Sequence, residues 1–327
     1  MSLETKLLKS LYLDMYGIRR FEEEVETYSK NGTIPGFIHL SIGQEAAQAG
    51  AVRALRATDY KFPDHRGHGA ICLCGTDRKL VMAEIFGKST GINGGRGGSM
   101  HVNDLQFRNM GFNGIQGSTV VSALGTAFAA RYNKTDDVTI VFMGDGTLGE
   151  GACHESMNMA ATWKLPIIYC LLNNQYAIST RFTESHPQKQ LATWADGYEV
   201  PNEIVDGNDV EAVYAAVQRA ADRARRGDGP TLLELMTYRW QGHFSGDPAA
   251  YRPEEEVALW KARCPLVRCK KTLLEDRKVS ADELAAMEAC ADKEIAECVS
   301  FSLESPWPDP KMAIAHVYAG LEVEDWQ

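Results

Sequence analysis

The sequence has no apolar run approaching the length of a membrane span, which excludes a transmembrane helix. Cations are in the minority. Its 34 Lys and Arg face 44 Asp and Glu, a formal charge of −10, so neither nucleic acid nor an anionic membrane is the expected partner. A C-x-x-C pair is missing, although Cys72-x-Cys74 comes near one and there are eight cysteines. Several cysteines, Cys170 among them, sit in apolar runs, the pattern of buried free thiols in a reducing, cytoplasmic setting. The first 30 residues have neither secretory nor transit-peptide character. Internal repeats and low-complexity linkers are also lacking.

What is present is a chain of 327 residues with 44% hydrophobic residues, enough for one large domain and an addition to it. Residues 1–30 read as an amphipathic helical arm with Leu7, Leu8, Leu11, Met15, Ile18 and Val25 on one face. Residues 31–252 read as an α/β domain, with helices over Leu80–Phe86, Thr119–Tyr132 and Val210–Arg226, and strands over Glu203–Asp206 and Thr231–Tyr238. Residues 253–327 read as a helical addition: a charged helix after Pro253, a second over Ser280–Phe301, and a last one from about Lys311 towards acidic Glu322, Glu324 and Asp325.

The stretch from Val138 to Tyr176 organises the rest. Two apolar runs, Val138–Met143 and Ile167–Leu172, bracket a helical segment, Glu150–Trp163. The first run ends in Gly144-Asp145-Gly146 and the second in Asn173-Asn174. Gly144, Gly146 and Gly149 match the G-x-G-x-x-G of a dinucleotide fold. Asp145 between the glycines would set a carboxylate against a pyrophosphate, and the second strand lacks the acidic residue that would hold a ribose. A divalent cation between protein and diphosphate removes both conflicts. Asp145 and the Asn174 amide oxygen are hard ligands suited to Mg²⁺. A helix opening at Thr147 would turn its N–H groups to the anion.

Other polar clusters precede and follow. His39-Leu40-Ser41-Ile42-Gly43-Gln44-Glu45-Ala46 offers His39 as an acid/base or as a helix-start histidine with a structural hydrogen bond. His65-Arg66-Gly67-His68-Gly69 invites a zinc reading, but no nearby Cys/His cluster completes a tetrahedral set. A glycine-rich loop runs from Gly91 to His101, and Asn113-Gly114-Ile115-Gln116-Gly117 follows it. Residues 177–194 form a polar, aromatic-dotted stretch that reads as a mobile loop over the site. The strand from Thr231 leads into Arg239-Trp240-Gln241-Gly242-His243-Phe244-Ser245-Gly246-Asp247-Pro248, with His243 the best-placed histidine for chemistry.

Taken together, GDG…NN, HL-x-x-GQEA, HRGHG, GGSMH and the Arg239–Pro248 loop with Tyr251-Arg252 resemble the alpha subunits of thiamine diphosphate-dependent 2-oxo acid and acetoin dehydrogenases, the pyruvate dehydrogenase decarboxylating-component family. The resemblance implies a three-layer thiamine diphosphate-binding fold, a mostly parallel sheet flanked by helices, with helical N- and C-terminal extensions. It implies diphosphate contacts from His65 and Arg66, backbone contacts to the aminopyrimidine from Gly114 and Gln116, and cofactor contacts from Gly144, Gly146, Thr147, Ile178 and His243. It implies Mg²⁺ held by Asp145, Asn174 and the Tyr176 carbonyl, and acid–base roles for His243, His39 and His65. Such enzymes also need a glutamate on a pyrimidine-binding domain, and only the diphosphate half of that pair is found here. The resemblance therefore implies a beta subunit and an α2β2 assembly. The implied reaction cleaves or decarboxylates a small keto substrate, pyruvate or acetoin, and passes the two-carbon unit to a lipoyl-type carrier.

This sequence departs from the family in places. Gln116 replaces an apolar residue, Val121 a proline, and His65 a tyrosine common in pyruvate dehydrogenases, which points to the acetoin side. Phe244 occupies the position of a regulatory phosphoserine, so no kinase switch is expected there. The polar set Gln116, His39, His65 and His243 leaves open a transketolase-like glycolyl transfer from a ketose phosphate to a carrier protein. A non-catalytic scaffold is the reading from a different class.

Overall fold

Alternate residues of the central strands belong to two different cores. Ile140, Phe142, Ile168, Cys170 and Leu172 join one apolar cluster, while Val141, Met143, Ile167, Tyr169 and Leu171 join another. A strand covered on both faces needs such continuous apolar sequence, because successive side chains point to opposite sides. The computed structural model describes residues 3–314.

The chain begins with α1 (Thr5–Lys30), α2 (Glu45–Arg53) and β1 (Tyr60–Phe62), followed by α3 (His68–Leu73), α4 (Arg78–Ile85) and α5 (Ser118–Asn133). Next come β2 (Thr139–Gly144), α6 (Asp145–Leu148), α7 (Gly151–Thr162) and β3 (Ile167–Asn173). A hairpin of β4 (Tyr176–Ala177) and β5 (Thr180–Arg181) leads to α8 (Phe182–Ser185), β6 (Asn202–Asp206), α9 (Val210–Arg225) and β7 (Thr231–Met236). The last helices are α10 (Glu254–Ala262), α11 (Pro265–Lys271) and α12 (Ala281–Glu304).

Five strands make one parallel sheet in the order β1-β2-β3-β7-β6. Helices α1, α2 and α9 cover one face and α5 and α7 the other, the three-layer α/β arrangement expected from the sequence. Among the described residues no helix is long and apolar enough to cross a membrane. Helix α9 starts where it does because Asp209 accepts hydrogen bonds from the N–H groups of Glu211 and Ala212, at 3.0 and 3.1 Å. Helix α12 packs along α1 and α4, burying Ile295, Cys298 and Val299 with Phe21, Val81 and Ile85.

Two local expectations are corrected. The helix expected to open at Thr147 opens at Asp145 and stops after one turn. Gly149-Glu150-Gly151 interrupts it, because two glycines weaken the helix and Thr147 O accepts the Glu150 N–H at 3.0 Å instead. The stretch 177–194 is not an open loop. It forms the hairpin, α8 and a 3₁₀ segment, Leu191–Tyr198, whose Leu191, Ala192 and Ala195 are buried. The Ala192 N–H donates to Glu234, a buried carboxylate of β7 that also takes the Asn173 amide at 2.7 Å. The helix expected from about Lys311 lies almost wholly outside the described residues, as does its acidic end, Glu322, Glu324 and Asp325; the described part is a short 3₁₀ turn, Pro310–Ala313.

Candidate active site

Parallel strands bring their carboxyl ends to one edge, and here the polar residues that follow four of them converge. His65 and Arg66 follow β1, Asp145 and Gly146 follow β2, Asn174 and Tyr176 follow β3, and Arg239 and His243 follow β7. They line a cavity of about 230 Å³ together with Asp64, Gln116, Gly144, Thr147, Glu150, Ala177 and Ile178. A larger polar cavity of about 450 Å³ lies near Lys164, Pro201 and Pro230, at the opposite edge, and holds none of these residues.

The charges in this cavity are incomplete. Arg66 and Arg239 are each 1% exposed. Arg66 donates to the Leu40 and His243 carbonyls, at 3.1 and 2.8 Å. Arg239 donates to the Ile178 carbonyl at 2.9 Å and to the Tyr251 hydroxyl at 2.8 Å. Carbonyls and a phenol do not neutralise a guanidinium. Burial, and then repulsion by Arg239, pulls the Arg66 pKa down to about 9. Two buried cations so placed fit a dianion such as a diphosphate. Asp145 completes the set. It is 1% exposed, its Oδ2 has no hydrogen-bond partner, and burial raises its pKa to about 6. A hard cation bound there would restore the charge that burial disfavours.

The second ligand candidate, Asn174, uses its Oδ1 for a long 3.4 Å contact from the Tyr176 N–H. The Tyr176 carbonyl takes only a 3.4 Å contact from Arg239 Nη1, leaving acceptor capacity. Gly146 is needed where it stands, since a Cβ there would come within 2.6 Å of the Ala177 Cβ. Ile178 adopts φ +54°, a strained choice for a β-branched residue, with its side chain 60% exposed. Gln116 accepts from the Thr147 hydroxyl at 3.2 Å, so its polarity is used to tie the 113–117 loop to the glycine turn. Gly114 is exposed and outside the cavity lining.

Three histidines meet although they are far apart in the chain. The His39 ring lies edge-on to His65 and His243, with centroids at 4.9 and 5.0 Å. Burial first, then the Arg66 charge, lowers their pKa values: His39 to about 3, His243 to about 4, and His65 well below the ordinary range. All three are neutral at pH 7. Arg66 Nη2 lies 3.1 Å from His243 Nδ1. A guanidinium can only donate, so Nδ1 is the acceptor and the His243 proton sits on Nε2. His39 is not a helix-start residue. It precedes α2 by a full loop, and its Nδ1 has no partner. The pairing of His65 with His68 also fails. His68 turns away to Glu22 and Ser99, at 3.1 and 2.9 Å, and the nitrogens that approach within 4.8 Å are those of His39, His65 and His243.

Sequence reasoning missed Arg239, Asp64, Glu150 and Asp247. Arg239 had a signal, since it follows an apolar run just as Arg66 and Asp145 do. Asp247 receives the His243 N–H at 2.6 Å and the Tyr251 hydroxyl at 2.7 Å, folding the loop that presents His243.

The model of the family described as "Dehydrogenase E1 component" matches residues 13–311. The chain is 39% identical over 313 residues to the alpha subunit of acetoin:2,6-dichlorophenolindophenol oxidoreductase of Bacillus subtilis, covering 95% of this chain and 93% of that one. It is 38% identical over 307 residues to the alpha subunit of the pyruvate dehydrogenase E1 component of Rickettsia felis, covering 94% of each. The corresponding subunit of Rhizobium meliloti is also 38% identical, over 95% of this chain and 88% of its own. These relatives carry dehydrogenase and oxidoreductase names, which lend nothing to a ketose-donor transfer.

Proposed function

This chain belongs to the dehydrogenase E1 component family, and from that premise we propose that it is the alpha subunit of a thiamine diphosphate-dependent enzyme acting on a small keto substrate. The donor is acetoin or pyruvate, and the two-carbon acyl unit goes to a lipoyl-type carrier. His65 and the Bacillus subtilis relative make acetoin the first donor to test. The observation that carries the reading is the unpartnered Asp145 carboxylate oxygen set among two buried guanidiniums that have no carboxylate of their own.

In this reading Asp145, Asn174 and the Tyr176 carbonyl hold Mg²⁺. Arg66, His65 and Arg239 take the diphosphate, and the turn Gly144–Thr147 allows its close approach. Backbone groups of Gly114 and Gln116 receive the aminopyrimidine, and Ile178 supports the rings. Bound thiamine diphosphate supplies the electron sink for breaking a carbon–carbon bond beside a carbonyl. The protein orients the donor and moves protons. His243 offers an Nε2–H, and neutral His39 can accept or return a proton at the same face. His65 packs against both rings, at 4.9 Å from His39 and 5.8 Å from His243, and excludes water. A beta subunit brings the pyrimidine-binding domain and the activating glutamate in an α2β2 enzyme of the cytoplasm.

The test is to purify the chain with its beta subunit and to follow thermal stability and donor-dependent reduction of 2,6-dichlorophenolindophenol. Thiamine diphosphate with Mg²⁺ raises the melting temperature of the wild type and not of Asp145→Ala. The variant loses about 100-fold or more in dye reduction, the equivalent of about 3 kcal/mol of metal-dependent stabilisation. Unchanged stabilisation and turnover in Asp145→Ala would remove the metal assignment.

A further inference from the structure

The Asp145 Oδ2 takes no hydrogen bond, so the direction of that carboxylate depends on the backbone turn that carries it. The turn is α6, four residues between Gly144 and Gly149. One helical turn holds itself poorly, because it fixes several dihedrals for its first hydrogen bond. A contact from outside does the holding. His186 Nε2 lies 3.0 Å from the Asp145 carbonyl oxygen. A carbonyl only accepts, so Nε2 carries the proton and donates it to the turn.

His186 is itself firmly placed and only 6% exposed. Its backbone N–H donates to the Phe182 carbonyl at 3.0 Å. Its ring stands edge-on to Trp194, with centroids 5.2 Å apart, and Trp194 packs in turn on His154 of α7 at 4.9 Å. Gly149 lets the ring approach, since a Cβ there would stand 3.4 Å from His186 Cε1. The segment is fastened on both sides. The Phe182 N–H donates to the Gln175 carbonyl at 3.0 Å, and the Ala192 N–H to Glu234 at 2.8 Å. His186 Nδ1 is buried without a partner, so the ring commits itself to the one bond on Asp145. An apolar side chain would fill this space without burying an unpaired nitrogen. The fold alone therefore does not ask for a histidine here.

We propose that His186 is a positioning residue for the metal clamp: by holding the Asp145 carbonyl it fixes the turn and so aims the Asp145 carboxylate at a divalent cation. This rests on the functional reading above, in which Asp145 holds Mg²⁺. His186 does not line the cavity, so it acts on the cation only through Asp145. Its loss therefore weakens metal binding and leaves the donor's own contacts in place.

The experiment uses the αβ enzyme with thiamine diphosphate present and Mn²⁺ as the probe, bound metal being read from the loss of the free-ion EPR signal. His186→Leu fills the space without a donor, and His186→Gln returns an N–H close to the place of Nε2. In His186→Leu the Kd for Mn²⁺ rises about tenfold, while in His186→Gln it stays within about threefold of wild type. At saturating metal the KM for the keto donor stays within about twofold of wild type in both. An unmoved Kd in His186→Leu overturns the proposal. An equal rise in both variants overturns it as well, since the ring's shape and not its N–H would then matter. His186→Met is a second variant without a donor, and failure of both it and His186→Leu to assemble with the beta subunit overturns the proposal too, because the residue would then serve the fold. A wild-type enzyme that binds no Mn²⁺ beside thiamine diphosphate defeats the functional reading, a separate outcome from wild-type binding with an unmoved His186→Leu.

Discussion

Asp145 and the histidines respond to pH in opposite senses. Burial raises the Asp145 pKa to about 6, so the folded chain holds that proton more tightly than the unfolded chain does. Its contribution to stability is present below about pH 4 and is lost as pH rises through about 6. His39 and His243 have depressed values, about 3 and about 4, so their contribution is present above about pH 6.5 and is lost as pH falls through those values. Without cofactor, Asp145→Asn raises the melting temperature by roughly 3–6 °C at pH 8 and leaves it unchanged at pH 4. Melting curves of the two proteins that coincide at both pH values would contradict a buried, uncompensated carboxylate. Adding thiamine diphosphate and Mg²⁺ at pH 8 reverses the order.

Two loops near the site are shaped by buried carboxylates. The glycine-rich loop resembles an anion cradle, but the anion belongs to the protein. Glu84 accepts the N–H groups of Asn93 and Gly95 at 2.8 Å and of Gly97 at 2.6 Å. A Cβ on Gly91 would collide with the same carboxylate, so the glycines serve to wrap it. Glu22 of α1 accepts the Ser41 hydroxyl at 2.6 Å and pairs with His68, which reaches Ser99. It thereby joins the segments that carry His39 and Arg66 to the end of the glycine-rich loop. All three side chains of the Glu22–His68–Ser41 set are 0% exposed, so removing one leaves the others unpaired in a dry interior. Glu22→Ala costs about 3–5 kcal/mol, read from the urea midpoint at constant m-value. A cost under about 1 kcal/mol would mean that water replaces the carboxylate. Gly146→Ala acts differently. Its new Cβ meets the Ala177 Cβ, so the fold survives with a small loss while stabilisation by thiamine diphosphate and Mg²⁺ disappears.

At the scale of the molecule, the chain offers one side of a site. The side lined by Arg66, Arg239 and Asp145 is deep and charged. Beside the cavity stand exposed Ile115, at 70%, and Ile178, at 60%, together with exposed Gly114. Apolar groups beside a catalytic cavity mark a surface that another chain completes. The isolated alpha subunit therefore turns over neither acetoin nor pyruvate, and adding the beta subunit restores turnover and gives the mass of an α2β2 particle by light scattering. Turnover by the alpha chain alone would refute the division of the site between chains.

The sequence by itself determined the elements whose causes are local. Apolar runs long enough for strands buried on both faces announced a parallel α/β sheet, and the Gly144-Asp145-Gly146 and Asn173-Asn174 ends, with the HRGHG and Arg239–Pro248 motifs, placed the polar residues at the strand ends. Tertiary structure alone decided what depends on distance and burial. The parallel sheet brings Arg66 and Arg239 to one cavity, and the fold gathers His39, His65 and His243 from three remote segments. No spacing in the chain encodes these meetings, because the crossovers between strands choose them. Whether His68 faces His65 or Glu22, whether a glycine loop holds a ligand or Glu84, and whether Asp145 is short of a partner are likewise settled by packing. Hydrogen-bond partners and the loss of water fix the state of a charged group, and neither is written in the order of residues.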